Sequence, residues 1–282
     1  MNLRALTSVR RSAAFTMVEI AICLAIIGLA LVAIIGVLPL GMKVQRDNRE
    51  ETVINQDATV LLESIRNGVR GGYDLTNYVT EIDNYVTLFD QNLAKIRTDT
   101  YIYTLTNYTV NGSLAAIQFG LTNNARIVGL LSTPEFLDGN YNPVNLLVPN
   151  GISNHVEMNV RAMSGPAVEK PPQDNSILIG DSFTYRVRVV NAPVATDTNL
   201  YNLNFSAAQR AYTAQLNANL HELSLSFYWP VEPNGSLGTG RQSQRAAVAG
   251  DITHTQTNAV NLYYYQSQSF TNTPAPIQST LP

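Results

Sequence analysis

The chain has 282 residues, 45 % of them hydrophobic and 14 % charged, which is enough for one or two domains with a buried core. A formal net charge of −3 is too mild to point to any partner, and the single cysteine, Cys23, leaves no disulfide framework available. His155, His221 and His254 are scattered without metal-ligand spacing.

Residues 1–14 are short and basic, carrying Arg4, Arg10 and Arg11. Residues 20–42 then hold no charge, and these 23 positions match the ~20 residues a helix needs to span hydrocarbon. A secretory signal peptide has a shorter apolar core followed by a small-residue cleavage site, a pattern this stretch does not follow. A plain single-pass anchor fits the length but gives no reason for Glu19, because an intramembrane carboxylate costs about a few kcal/mol. Pro39, Gly28, Gly36 and Gly41 lie in the same run, and the proline predicts a kinked or locally melted turn. Lys43, Arg46 and Arg49 follow the span, so basic residues are tied across it and do not set its orientation.

After a polar collar at 45–52, apolar residues recur at Ile54, Ala58, Leu61, Leu62, Ile65 and Val69. That spacing predicts one helical stripe, with Gly71 and Gly72 as its stop and a helix over about 16–70. The segment 76–96 reads as either short helix or loop. Strands are predicted at 100–110, 114–121, 125–132, 155–163, 183–190, 220–231 and 241–249. The cleanest alternation is Phe183-Tyr185-Val187-Val189 and Leu223-Leu225-Phe227-Trp229. Asn-, Gly- and Pro-rich loops at 135–145, 164–175 and 233–240 separate them, and 266–282 reads as a polar, disordered tail.

The order of residues at the start resembles a known pattern. A basic leader, the small residue Ala14, then Phe15-Thr16-Met17-Val18-Glu19 opening a long apolar helix, is similar to the cleavage and methylation segment of type IV pilins and type II secretion pseudopilins. Ala14 stands where that family usually has Gly. The resemblance implies a leader at 1–14, cleavage by a prepilin peptidase between Ala14 and Phe15, and N-methylation of Phe15. It also implies a role for Glu19 in pairing with the Phe15 amine during assembly, since a buried carboxylate is tolerated when paired. The Trp229-ending strand and its Gly240-Arg241-led return strand resemble the terminal hairpin of minor pseudopilin heads.

The fold expected is α+β and pilin-like: a long N-terminal transmembrane and stalk helix at 15–71, membrane-spanning at about 20–42 with its stalk at 43–71, packed on a mainly antiparallel β-sheet head at 73–265. The implied place is a bacterial inner membrane, single-pass with the head in the periplasm. The implied partners are the prepilin peptidase, other pilin or pseudopilin subunits, the inner-membrane assembly platform and the membrane. A head of about 210 residues favours a minor over a major subunit. No enzyme, metal or cofactor is expected: the glycines at 235–240 lack the Lys-Ser/Thr of a phosphate loop, and Asp83 and Asp90 lack calcium-loop spacing. Residues 73–282 carry ten Lys and Arg against fifteen Asp and Glu, so no nucleic-acid partner is expected, although a DNA-uptake filament remains an alternative. The other alternative is a membrane-tethered binding or enzymatic domain.

Overall fold

A computed structural model describes residues 16–68, 74–115, 120–164, 183–194, 206–209, 219–232, 234–257 and 260–266. Two compact units divide the chain, Met1–Thr52 and Val53–Pro282. Helix α1 (Met17–Asn67) begins in the first unit and contributes its last turns to the second. The helix runs unbroken through Pro39, so the expected melted turn is absent. One proline removes one N–H donor, and the surrounding Leu, Ile and Ala residues sustain the neighbouring turns.

The second unit is built on strands β1 (Val79–Phe89), β2 (Lys95–Thr104), β3 (Tyr108–Val110), β4 (Ser113–Leu114), β5 (Phe136–Leu137), β6 (Pro143–Val144), β7 (Ile152–Arg161), β8 (Thr184–Pro193), β9 (Leu220–Val231) and β10 (Leu237–Ala249), with helix α2 (Asn124–Leu131) between β4 and β5. Among the described residues the sheet runs β10-β9-β8-β7-β1-β2-β3-β4, every neighbouring pair antiparallel, with β5 and β6 beside β7. A separate hairpin pairs β11 (Ile252–Thr257) with β12 (Val260–Tyr265).

Alternation decides which face is buried. Val156, Met158 and Val160 of β7, Tyr185, Val187 and Val189 of β8, and Leu223, Leu225, Phe227 and Trp229 of β9 all enter one core. Ile54, Ala58, Leu61 and Ile65 of α1 enter the same core, and each large apolar side chain so buried contributes about 1.5–3 kcal/mol. The stripe read from sequence therefore holds, with Leu62 at its half-buried edge; Val69 lies outside the described residues.

Four assignments differ from the sequence reading, the first being that the strand predicted at 100–110 is divided between β2 and β3, which pair antiparallel. The ambiguous segment 76–96 supplies β1, which sits mid-sheet between β2 and β7. Its alternation is disguised because Asp83 and Asn84 are buried polar residues. The predicted strand at 125–132 is instead α2, started by the Asn123 side chain accepting the Arg126 N–H at 2.8 Å. A short apolar run fits a helix or a strand equally well by period. The predicted strand at 114–121 is described only at its ends: Leu114 closes β4, and Gly120 and Leu121 lie outside any strand.

Helix α1 stops earlier than expected, at Gly68, whose φ of +59° is the left-handed cap conformation. A Cβ there would approach the Tyr265 carbonyl oxygen to 3.0 Å, so glycine is needed for both conformation and space. Gly71 and Gly72 lie outside the described residues.

One acid fastens α1 to the sheet. Asp57 is fully buried among the apolar stripe, and its carboxylate accepts from the Met163 N–H at 2.9 Å, the Ser164 hydroxyl at 2.6 Å and the Tyr185 hydroxyl at 2.9 Å. Next to it, Asn55 Oδ1 accepts from the side-chain amides of Gln242 and Gln244 on β10 at 2.6 and 3.0 Å. Burial raises the Asp57 carboxyl above its ordinary value, although all three donors oppose this. Burial likewise pushes the Tyr185 hydroxyl up, aided by the Asp57 charge, so it stays a donor.

Asp57→Asn leaves at least one buried donor without an acceptor and should destabilise the unit by about 1–3 kcal/mol in denaturant unfolding. A carboxyl whose folded value is raised contributes most at acid pH and loses that contribution as pH rises through the raised value. The stability gap between wild type and Asp57→Asn should therefore narrow as pH rises above the ordinary carboxylate range. A gap that widens as pH rises would contradict this placement.

Candidate functional site

The start of α1 is a capping box. The Glu19 carboxylate accepts from the Thr16 backbone N–H and the Thr16 hydroxyl, both at 2.9 Å, while the Thr16 Oγ1 accepts from the Glu19 N–H at 3.3 Å. Thr-x-x-Glu before an apolar run is its sequence signature, and it gives Glu19 a local role that the resemblance alone does not contain. The carboxylate faces back along the chain, toward the peptide that joins residue 16 to residue 15. Ala14 and Phe15 themselves lie outside the described residues.

Among the described residues, nothing in its own unit covers the helix that follows. Seventeen large apolar side chains between Met17 and Val44 are exposed, from 48 % at Ile20 to 85 % at Met17. Among the described residues it is the one helix long and apolar enough to cross a membrane. Cys23 is exposed on it. Monomeric soluble proteins rarely leave a continuous apolar surface of this extent, which marks an interaction surface.

The sequence reading missed a polar cluster on the solvent-side face of the sheet centre. Strand register sets Asp83 of β1 opposite Glu157 of β7, and Glu157 opposite Arg188 of β8. Glu157 accepts from His155 Nε2 at 2.8 Å and lies 3.7 Å from Arg186, whose Nε donates to Asn159 Oδ1 at 2.9 Å. Asn159 in turn donates to Glu81 at 3.0 Å. Among the described residues, one buried carboxylate oxygen of Asp83 has no hydrogen-bond partner. Burial chiefly, with the negative charges of Glu81 and Glu157 outweighing Arg186, pushes its carboxyl up to about 6.

Several further residues have structural uses. Gly235 lies in the β9–β10 connection, where its N–H donates to the Glu232 carbonyl, and Gly238 and Gly240 lie in β10. Asp90 closes the β1–β2 turn by accepting from the N–H groups of Asn92 and Ala94, both at 2.8 Å. Tyr263 and Tyr265 are buried in β12, and Tyr264 packs against Gly129 of α2. His221 is buried and makes an edge contact with Tyr265.

A carboxyl raised from 3.8 to about 6 by burial and like charge costs the folded state nothing below its ordinary value, and the cost builds as pH rises to about 6. Asp83→Asn removes that cost, so it should stabilise the protein by about 1–3 kcal/mol at about pH 8 and change little below about pH 4. Denaturant unfolding at the two pH values measures this; destabilisation at the higher pH would show that the carboxylate has a partner.

Comparison of the chain with models of protein families, with curated proteins and with solved structures finds no match. What carries a functional reading is therefore the capped, uncovered apolar start of α1 on an antiparallel head.

Proposed function

We propose that the chain is a structural subunit, used at low copy number, of a filament built from the inner membrane: a type II secretion pseudopilus or a type IV pilus-like assembly. A prepilin peptidase cuts between Ala14 and Phe15 and the new Phe15 amine is methylated. The mature helix then leaves the bilayer to pack among the helices of neighbouring subunits, with the head on the periplasmic side. The observation that supports this most is the unbroken apolar helix left uncovered by the other described residues. Each of its large side chains gains about 1.5–3 kcal/mol on leaving water, whether for lipid or for other helices. The cap adds a second element, because it holds the Glu19 carboxylate one residue from the amine that cleavage would create.

A membrane-tethered binding domain is the second reading. One observation favours it: Glu19 is already employed in capping its own helix, so it needs no partner subunit to explain it.

Glu19→Gln separates the two. Glutamine serves a capping box as glutamate does but carries no charge. If Glu19 pairs with the Phe15 amine in assembly, both Glu19→Gln and Glu19→Leu are cleaved at Phe15, seen by mass spectrometry of the N-terminus, yet fail to enter sheared filaments. Wild-type incorporation of Glu19→Gln would overturn the pairing, and an intact leader in cells with active peptidase would overturn the processing.

A further inference from the structure

The face of the sheet that α1 covers at β7–β9 is left open further along, over β2, β1 and β7, and a cleft of roughly 130 Å³ lies there. Register builds its floor in rows: Tyr101 beside Asn84, then Asp99 beside Val86 and Asn154, then Arg97 beside Leu88 and Ile152. Successive residues on a strand point to opposite faces, so these positions, two apart on each strand, share one. Tyr263 of β12, Thr133 and the loop residue Tyr141 complete the lining.

Three features of this cleft bear on what it could hold. First, Asn84 Oδ1, Thr133 Oγ1 and the Tyr263 hydroxyl have no hydrogen-bond partner among the described residues, though their side chains are 9, 4 and 1 % exposed. Leaving such groups unmet costs about 1–3 kcal/mol each. Second, Tyr141 is held at φ +64°, a conformation strained for a bulky residue, and is 41 % exposed at the rim. The strain is imposed from both sides. Asp138 Oδ1 accepts from the N–H groups of Asn140 and Asn142 at 2.8 and 2.9 Å, and the ring stacks on His254 at 5.5 Å, which stacks on Tyr263 at 4.9 Å. Third, the charges at the mouth are already neutralised as a pair, Arg97 Nε to Asp99 at 3.0 Å.

From these we infer that the cleft is a binding site for a neutral polyhydroxylated ring of monosaccharide size, such as one unit of a glycan. Tyrosine faces at Tyr101 and Tyr141 offer flat apolar surface to the C–H face of a pyranose. Asn84 Oδ1 accepts a ring hydroxyl, and the Thr133 and Tyr263 hydroxyls either accept or donate. The Arg97–Asp99 pair leaves the mouth without net charge, which favours an uncharged ligand over an anion. The lining mixes polar and apolar groups, and the cleft of about 130 Å³ is open, so it seats one face of a six-membered ring rather than enclosing it.

The test uses the full chain in a detergent without a sugar headgroup. Glucose, galactose, mannose and N-acetylglucosamine are each titrated by saturation-transfer NMR. At least one should show transfer with a Kd of roughly 10 mM or tighter. Asn84→Leu should weaken it at least about tenfold, and Tyr141→Ala, on an exposed loop, serves as a second variant that does not depend on the core. Tyr228→Ala, on the opposite face of the sheet, should leave binding unchanged. No transfer from any of the four sugars, or transfer that survives both cleft substitutions, overturns the assignment.

Discussion

Seventeen large apolar side chains at the start of one helix are left uncovered by the other described residues, and they stand in water unless something else covers them. The same helix, α1, changes character within a few turns. Up to Val44 its apolar residues are distributed all round, so no single face of a globular domain could bury them. From Val53 they narrow to one stripe, Ile54, Ala58, Leu61 and Ile65, which a sheet can cover. One element thus serves two environments, and the polar collar between them carries the Arg46–Glu50 pair at 2.7 Å.

The second half is fastened by more than apolar contact. Asp57 takes three donors from the segment after β7 and from β8, and Asn55 takes two from β10. Apolar packing is non-directional, so by itself it would let a helix slide or rotate on the sheet. Directional hydrogen bonds, buried or half-buried at Asp57 and exposed at Asn55, define one register for the helix on the sheet. Asp57 reads as an ordinary polar break in the stripe, and only the fold reveals that Met163, Ser164 and Tyr185 converge on it.

What was legible in the sequence follows periodicity. The apolar span, the stripe of α1 and strands β7, β8 and β9 all have uninterrupted period, and each appears where that period places it. The failures are local and have causes. Strand β1 was hidden by Asp83 and Asn84, one facing a like-charged cluster and the other a cleft. These polar residues break the pattern because they are not placed for packing, which is where sequence-level consistency is expected to fail. The run in α2 was too short for its period to distinguish helix from strand. At the N-terminus, Glu19 was singled out, but its capping partner Thr16 was not, although Thr-x-x-Glu spells the motif.

The account rests on the claim that the first half of α1 is covered by lipid or by neighbouring helices. Cys23, the only cysteine in the sequence, lies in that half and is exposed on the isolated chain, so it reports on the cover directly. Labelling of native membranes with a membrane-impermeant maleimide, before and after solubilisation in SDS, is the measurement. The account predicts no modification of Cys23 until SDS is added and complete modification afterwards. Prompt labelling in intact membranes would contradict it.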